Sequence, residues 1–446
     1  MIKRFSPGRL TATALACLPP PHAYQARRAL MPSPLPLLTD APDWRECPHC
    51  GQLSHVGPRR PGMVAECPRC GEVLWHMRQA GANFTLACAL AALVFYLFAL
   101  TAPFLEINAY GRFALARLDT GPAQLLAQGW GLVAAAVFTV TLLGPAAKLA
   151  ILLVTLGGQS WLPPRALKTL FRWYKPVSPW AMIDVYLLGF LVAYTRLTGM
   201  AEVHLDTALY ALIGYMLAMA AADGSLDIEA LWRKLDERSK KLPHPVESER
   251  IGCDACGLIN HAAEDEPCHR CHTPLRRRKE NSISRAWALV IAAAFLYIPA
   301  NIYPVMVVTS LAKTNGYTIM HGIVELARAG LWPLAGLVFF ASIAIPLTKL
   351  LVMAYMLTMT QLGRTEHLLG RTRAYRLVDF IGRWSMIDVF MVSILVALVR
   401  FGQFANIQAD VGAVCFAGVV VLTMFAVTAF DPRLMWDVLE PADEQA

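Results

Sequence analysis

The chain alternates long apolar stretches with short polar ones, and the apolar stretches have the length of membrane-spanning helices. A helix rises about 1.5 Å per residue, so about 20 residues cross the hydrocarbon core of a bilayer. Eight such helices are predicted, near residues 84 to 105, 130 to 157, 177 to 197, 203 to 222, 285 to 308, 331 to 360, 381 to 401 and 408 to 430. The predicted fold class is therefore an all-α polytopic membrane protein with about eight transmembrane helices.

The two halves of this pattern repeat one another at a fixed distance. Cys67, Pro103, Pro145 and Lys148 lie 201 residues before Cys268, Pro304, Pro346 and Lys349. The motif W-x-M-I-D-V occurs at residues 180–185 and again at 384–389, an offset of 204 that implies a three-residue insertion in the second copy. A tandem duplication of one module explains both offsets.

The duplication predicts a set of domains. They are an N-terminal extension (1–40), a first cysteine ribbon (44–76), a first transmembrane module (84–222), a cytosolic linker (223–250), a second ribbon (251–276), a second transmembrane module (285–430) and a cytosolic tail (431–446). The extension carries seven prolines and a weak apolar run, residues 10–18. A disordered segment, or a start at Met31, is favoured over a signal peptide, because export would carry the cysteine pairs into an oxidising compartment.

Composition and charge placement agree with membrane insertion and suggest an orientation. The chain is 56% hydrophobic, 16% charged and has a net charge of +8. Two short loops, 158–179 and 361–383, hold most of the nearby basic residues, so both are expected on the cytoplasmic side. With four spans per copy, both termini and all the cysteine pairs return to the cytoplasm. The basic excess thus reflects topology, and no nucleic-acid partner is expected.

Eight of the eleven cysteines form four C-x-x-C pairs. The first ribbon contains Cys47, Cys50, Cys67 and Cys70, and the second contains Cys253, Cys256, Cys268 and Cys271. Two knuckle turns whose thiolates converge on one tetrahedral ion are typical of structural zinc sites, so one Zn²⁺ is predicted in each ribbon. Four thiolates close the coordination sphere, which predicts a structural role and no catalytic one. The last pair, Cys268-His-Arg-Cys271, lacks the proline and the glycine that the first two pairs contain.

Charged residues inside the predicted helices are candidates for a lipid or proton pathway. Lys148 and Lys349 lie within the second helix of each copy, and Asp184 and Asp388 begin the third. Lys148 and Asp184 are about nine and seven residues from their shared loop, or roughly 14 and 10 Å, so the sequence predicts Lys/Asp pairs at matched depth. Such pairs serve either helix packing or a polar cleft. Arg196 and Arg400 fall near the opposite interface, where they snorkel or contact lipid phosphates.

The duplicated C-P-x-C-G ribbons, the four helices after each, and the repeated W-x-M-I-D-V motif resemble the paraquat-inducible protein A family over about residues 44 to 432. The resemblance implies an integral protein of the bacterial inner membrane, with zinc at the eight cysteines. It also implies that the protein works with a periplasmic MCE-domain partner, which forms a tunnel, to move phospholipids between the inner and outer membranes.

Three functions remain open from the residues. The first is a non-enzymatic component of lipid transport, coupled to protons through the Lys/Asp groups, since the chain has no Walker-type loop for ATP. The second is a scaffold that positions a separate pump or channel. The third is a membrane redox protein that uses the C-x-x-C pairs, which a closed four-thiolate site disfavours.

Overall fold

The computed structural model describes residues 44–56, 64–76, 78, 81–109, 112–198, 202–237, 250–310, 313–398 and 406–439. The predicted N-terminal extension (1–40), Arg400 and the end of the predicted tail lie outside the described residues. Helices dominate the described part of the chain, as predicted.

Eight stretches of the described chain are long and apolar enough to cross a membrane, four in each copy. They are Ala82–Thr101, Gly131–Ser160, Pro164–Thr195, Thr207–Ser225, Ser282–Ile302, Trp332–Gln361, Leu368–Leu398 and Val411–Ala429. The predicted number of spans and the tandem duplication are both confirmed.

Helix labels follow chain order. The first copy contains α1 (Ala82–Thr101), α2 (Thr120–Ala127), α3 (Gly131–Ser160), α4 (Pro164–Phe171), α5 (Tyr174–Val177), α6 (Ile183–Leu197), α7 (Thr207–Ser225) and α8 (Ile228–Glu237). The second contains α9 (Ser282–Ile302), α10 (Ile319–Arg328), α11 (Trp332–Gln361), α12 (Leu368–Gly382), α13 (Ile387–Leu398), α14 (Val411–Ala429) and α15 (Leu434–Asp437).

Short strands occupy positions where the sequence predicted helix ends and loops. In the ribbons they are β1 (Trp44–Glu46), β2 (Leu53–His55), β3 (Val64–Glu66), β4 (Val73–His76), β8 (Arg250–Gly252) and β9 (Ile259–His261). In the modules they are β5 (Leu105–Ala109), β6 (Arg112–Ala116), β7 (Glu202–Leu205), β10 (Met306–Ser310), β11 (Lys313–Tyr317) and β12 (Asn406–Ala409).

Each module carries a three-stranded antiparallel sheet that joins its first helix to its fourth. The strand orders are β6-β5-β7 and β11-β10-β12. The predicted helices 84–105 and 285–308 were too long, because Pro103 and Pro304 disfavour helical conformation in the residue before them. The observed helices end at Thr101 and Ile302, and the chain turns into the sheet. The predicted starts at 203 and 408 were also wrong, because strands β7 and β12 occupy those residues.

The long helices α3 and α11 each contain one π turn, at Thr139–Leu143 and Phe340–Ala344. Pro145 and Pro346 follow these turns by two residues and cannot donate a backbone hydrogen bond, so the helix widens before them. A tyrosine from the first helix of each copy donates its hydroxyl to a carbonyl of the widened turn. Tyr96 bonds Leu142 O at 2.7 Å, and Tyr297 bonds Ile343 O at 3.3 Å.

The two copies meet along their third helices, α6 and α13. The Tyr186 and Phe390 rings lie 5.5 Å apart, and a side chain added at Gly189 would come within 2.9 Å of Ile387 O. Side chains of the first copy form hydrogen bonds with the backbone of β12, a strand of the second copy. Trp130 Nε1 donates to Ala409 O at 3.1 Å, and Ala409 N donates to Gln128 Oε1 at 3.0 Å.

Candidate metal centres and intramembrane charges

In the first ribbon, two hairpins bring four thiols together. The knuckles follow β1 and β3, and the Sγ atoms of Cys47 and Cys70, and of Cys50 and Cys67, lie 3.5 Å apart. All four cysteines are buried, and their sulfurs lie within 4.8 Å of one another. A tetrahedral ion with metal–sulfur bonds of about 2.3 Å separates its sulfurs by about 3.8 Å, so this arrangement fits such an ion.

The second ribbon repeats the arrangement with a shorter spacer. Cys253 and Cys271 Sγ lie 3.5 Å apart, and Cys256 and Cys268 Sγ lie 3.6 Å apart. Asn260 supports this site, because its Nδ2 lies 3.5 Å from Cys268 Sγ and its Oδ1 accepts from His269 N. Both predicted cysteine groups therefore form sites that can bind a metal ion.

The residue after each C-x-x-C pair adopts a left-handed backbone conformation. The φ angles are 71° at Gly51, 70° at Gly71, 70° at Gly257 and 58° at His272. This turn lets the backbone N–H bond the carbonyl of the first cysteine, at 2.8 to 2.9 Å in all four knuckles. His272 keeps the turn without glycine, so the irregular sequence of the last pair does not change its geometry.

Each ribbon packs mainly against the module of the other copy. The first ribbon's cysteines share a buried cluster with α9, α11, α12 and α15, and Arg376 of α12 bonds Glu72 at 2.7 Å and Cys70 O at 3.0 Å. The second ribbon's cysteines belong to the cluster that contains Leu167 and Trp232 of the first module. Its Arg270 bonds Asp236 of α8 at 2.6 Å. The ribbons are therefore exchanged between modules.

A buried ionic network joins both ribbons to the end of the second module. Arg433 contacts Glu46 of the first ribbon at 3.2 Å, Asp254 of the second at 3.3 Å and Asp431 at 3.0 Å. Burial opposes the charge on Arg433, but the hydrogen bonds and charges of these carboxylates raise its pKa. Burial raises the pKa of Glu46, because the nearby arginines offset its desolvation only in part.

Lys148 pairs with Asp223, so the predicted pair with Asp184 is wrong. Lys148 Nζ lies 2.6 Å from Asp223 Oδ2, and Tyr174 Oη donates to Asp223 Oδ1 at 2.6 Å. Lys148 is buried, whereas the Asp223 side chain is 40% exposed. Asp184 is exposed on the same face of α6 as Leu191. Asp223 was missed because the predicted helix ended at residue 222, which placed Asp223 in the predicted linker, and because its counterpart at the 204-residue offset is Val427.

Lys349, the matching lysine of the second copy, has a different environment. Lys349 is 2% exposed, its Nζ lies 3.4 Å from Gly382 O at the end of α12, and Asp379 acts on it electrostatically. The carbonyl end of a helix carries partial negative charge and suits an ammonium group. The hydrogen bond found for Lys349 in the described part of the chain thus goes to Gly382, not to Asp388 as predicted.

Asp388 is buried, unlike Asp184, and lines a cavity of about 30 Å³ between the two copies. Leu125 from the first copy and Tyr317 from the second also line this cavity, which is large enough for a water molecule. Arg196 lies in α6, but its side chain is outside the described part of the structure. The environments of the matching lysines and aspartates therefore differ between the two copies.

Comparison with known proteins gives the same division of the chain. Residues 83–236 and 283–440 each match the family described as Paraquat-inducible protein A. The intermembrane transport protein PqiA of Escherichia coli K12 is 33% identical over 399 residues, which cover 88% of this chain and 95% of the relative. Lipophilic envelope-spanning tunnel protein A of the same organism is 29% identical over 402 residues, covering 89% and 92%.

A third relative, the probable intermembrane transport protein of Haemophilus influenzae, is 27% identical over 388 residues, covering 84% of this chain and 91% of the relative. No solved structure matches the chain. Both halves match one family model, and the similarity to each relative covers more than four fifths of this chain. The chain is a multi-pass membrane protein that belongs to the paraquat-inducible protein A family.

Proposed function

We propose that this chain is the bacterial inner-membrane component of a system that moves phospholipids between the inner and outer membranes. Its partner would be a periplasmic MCE-domain protein that forms the tunnel. The relatives' names support intermembrane transport. The observation in the fold that carries the proposal is Asp184, an exposed carboxylate within a predicted span. A charge within the bilayer costs about 2.5–3.5 kcal/mol, so Asp184 is better placed in a polar cleft than against lipid tails.

In the orientation we propose, the ribbons and both termini lie in the cytoplasm. The basic loops predicted to be cytoplasmic contact the ribbons directly, since Lys175 bonds Asp254 O at 3.2 Å and Arg376 bonds Glu72. Trp161, 91% exposed after α3, suits the headgroup layer on that side. The three-stranded sheets would then face the periplasm and the partner.

Zinc is the ion we assign to the two four-cysteine groups. Thiolate ligands in a closed tetrahedral set favour Zn²⁺, and such a site supplies folding energy to a small ribbon. Metal analysis of the purified protein should give two zinc ions per chain. Iron in place of zinc would revive the redox alternative.

Energy coupling is assigned to protons acting on the intramembrane groups Lys148, Asp184, Lys349 and Asp388, with Asp223 added to the set. The Asp388 cavity, which is large enough for a water molecule, and the exposure of Asp184 support this role. Lipid flux should fall when both Asp184 and Asp388 are changed to Asn. Full flux in that double variant would remove proton coupling through these groups.

Photocrosslinking tests whether lipid enters beside Asp184. A photoreactive residue at Leu191 shares the Asp184 face of α6, and one at Leu217, 60% exposed on α7, serves as the control. In cells with ³²P-labelled phospholipid, Leu191 should capture clearly more lipid than Leu217. Equal labelling at both positions is the result expected from bulk lipid and would contradict a cleft.

A scaffold is the second candidate, because the ionic network around Arg433 ties both ribbons to the second module. Purified protein reconstituted alone with labelled lipid separates the two functions. Lipid movement that depends on Asp184 and Asp388, with or without the partner, supports transport. Lipid movement that requires the partner but is unchanged by substitution of these aspartates supports a scaffold.

A further inference from the structure

A cavity of about 440 Å³ lies between the two ribbons and the ribbon-facing end of the first module. Its walls include Arg45 and Trp75 of the first ribbon, Arg78 between that ribbon and α1, Lys175 after α4, and Trp232 of α8. The volume falls within the range of small-molecule sites, and the two indole rings give it apolar surface. Cys47, Cys253 and Cys256 of the metal centres form part of its wall, whereas the intramembrane charges do not line it.

The acidic groups that line the cavity are already engaged. Glu229 is shared by Arg45 and Arg270, and Arg233 lies 3.9 Å from it. Glu72 is held by Arg376 and His49. Asp227 Oδ1 accepts from Ala230 N at the start of α8. Glu46 and Asp254, which also line the cavity, contact Arg433 at 3.2 and 3.3 Å. The five carboxylates therefore have cationic or backbone donors at hand and leave no demand for a bound cation.

Two cations of the lining have no carboxylate partner within the described chain. Arg78 Nη1 is buried and makes no hydrogen bond there. Lys175 Nζ bonds only a carbonyl, Asp254 O at 3.2 Å. A buried guanidinium nitrogen without an acceptor is costly, so Arg78 favours an acceptor group placed in this cavity.

The position of Arg78 connects this cavity to the membrane. Arg78 acts electrostatically on Tyr174, whose hydroxyl bonds Asp223 in the Lys148 cluster. The residue also lies four positions before α1, which begins at Ala82. A ligand held by Arg78 would thus sit at the end of the first module where the headgroups of the cytoplasmic leaflet are placed in the proposed orientation.

We propose that this cavity is a phosphate-binding site in which Arg78 and Lys175 hold the ligand and the tryptophans contact its uncharged part. A guanidinium and an ammonium converging on one anion are a common arrangement for phosphate groups. The phosphate belongs either to a phospholipid headgroup, which would make this the entry site of the transport route and rests on the proposed function, or to a soluble phosphate ester.

Binding to the full-length protein in detergent tests the site. Retention of phosphatidylglycerol is followed by native mass spectrometry, and binding of glycerol 3-phosphate by calorimetry. The variants are Arg78→Gln with Lys175→Gln, and Lys175→Gln alone in case the pair does not fold. Arg165→Gln, an exposed change in the same basic segment, is the matched control.

The double variant should bind its phosphate ligand about tenfold more weakly than the control, with both metal ions retained. Loss of lipid retention alone identifies a headgroup, and loss of glycerol 3-phosphate binding alone identifies a soluble ester. Unchanged binding of both probes overturns the site. Transport between membranes is measured separately in cells, so a failure of the proposed function leaves a positive binding result standing.

Discussion

At the residue scale, the four metal-binding knuckles differ at one informative position. Three end in glycine with φ near 70°, and the fourth ends in His272 with φ of 58°. A side chain in this conformation costs about 1–2 kcal/mol relative to glycine, since its Cβ crowds the backbone. The second ribbon therefore forms its knuckle at an energetic disadvantage.

Substitutions at this position should change how tightly each ribbon retains its metal ion. His272→Gly should tighten metal retention in the second ribbon, and Gly71→Ala should loosen it in the first by about fivefold, near 1 kcal/mol. A Cβ at Gly71 would meet no atom within 4 Å, so backbone strain alone acts there. Metal retained during titration with a chelator gives the measurement. Weaker retention after His272→Gly would contradict the account.

The surroundings of Lys148 and Lys349 differ between the two copies. Tyr174 Oη bonds the Asp223 carboxylate, whereas its counterpart Tyr375 bonds Val427 O at 3.1 Å. The same tyrosine geometry thus remains after the acid is replaced by valine. The first copy keeps a partly exposed ion pair where the second copy has an apolar residue.

Removing Asp223 should leave Lys148 buried without its partner. Asp223→Val should destabilise the protein by about 2 kcal/mol, less than a fully buried pair because Asp223 is 40% exposed. Adding Lys148→Met should recover most of the loss, since no buried charge remains. Thermal midpoints of the wild type, the two single variants and the double variant give a double-mutant cycle for this pair. Additive losses would show that the pair is not coupled.

Sequence alone identified all eight cysteines and the intramembrane lysines, because thiol spacing and charges in apolar helices are local signals. It missed the pairing of Lys148 because depth along a helix does not give the direction of a side chain. An aspartate within the apolar helix α7 was the available signal for Asp223, but comparing the copies favoured Asp184.

At the element scale, the Asp431–Arg433 ion pair stabilises the segment after α14. Asp431 accepts from Arg433 N, Nε and Nη2 at 3.0 to 3.1 Å and from Lys279 N at 3.1 Å. Burial would raise the pKa of Asp431, but the Arg433 hydrogen bonds and charge outweigh it and hold the pKa below its ordinary value. The ionised carboxylate therefore stabilises the fold.

A lowered carboxyl pKa predicts a definite pH dependence. The contribution of Asp431 is fully present above the unfolded value of about 3.9 and is lost as the pH falls towards the folded value. Asp431→Asn should lower stability by about 3 kcal/mol at pH 7. The difference between wild type and variant should shrink below about pH 4, as followed by thermal midpoint.

Glu280→Gln is the control for this change. Glu280 forms an exposed pair with Arg276, and such pairs contribute about 0–1 kcal/mol. Loss of metal at acid pH affects wild type and variants alike, so only their difference is interpreted. A difference for Asp431→Asn that stays constant down to pH 3 would refute the assigned pKa.

Element ends were the least predictable part of the fold. Hydropathy placed helix residues at 105, 203 and 408, which belong to strands, because apolar strand residues look the same as helix residues in a short window. The prolines at 103 and 304 carried the correct signal. Pairing of β5 with β7 depends on residues about 100 positions apart, which local pattern does not reveal.

At the scale of the whole molecule, the exchange of ribbons between modules is the main feature. The first ribbon shares buried surface with the second module, and the second ribbon with the first. The two ribbons also contact each other, since the Arg45 side chain donates from Nη1 to the Gly257 backbone oxygen at 2.7 Å. Metal binding in one copy is thereby linked to the packing of the other.

Removing one metal site should therefore loosen the module of the opposite copy. Changing Cys67 and Cys70 to Ala should speed hydrogen exchange in residues 368–382, and changing Cys268 and Cys271 should do so in residues 164–171 and 228–237. Hydrogen exchange with mass spectrometry measures both. Faster exchange confined to the module of the same copy would contradict the exchange of ribbons.

The duplication itself was predictable, because a constant offset runs through ribbons and helices. The contacts between each ribbon and the opposite module were not predictable, since either of two similar modules could contact a given ribbon. The choice depends on pairs such as Arg376 with Glu72, which are separated by 304 residues and leave no mark in local sequence.

The central claim is that this chain takes part in phospholipid transport between membranes. Its most direct test is a pulse of ³²P-labelled phospholipid in cells that lack the chain and the genes of related systems, followed by separation of the inner and outer membranes. Label should equilibrate between the membranes faster when the wild-type chain is restored than when the Asp184→Asn, Asp388→Asn variant is. Equal rates with and without the wild-type chain would contradict the account.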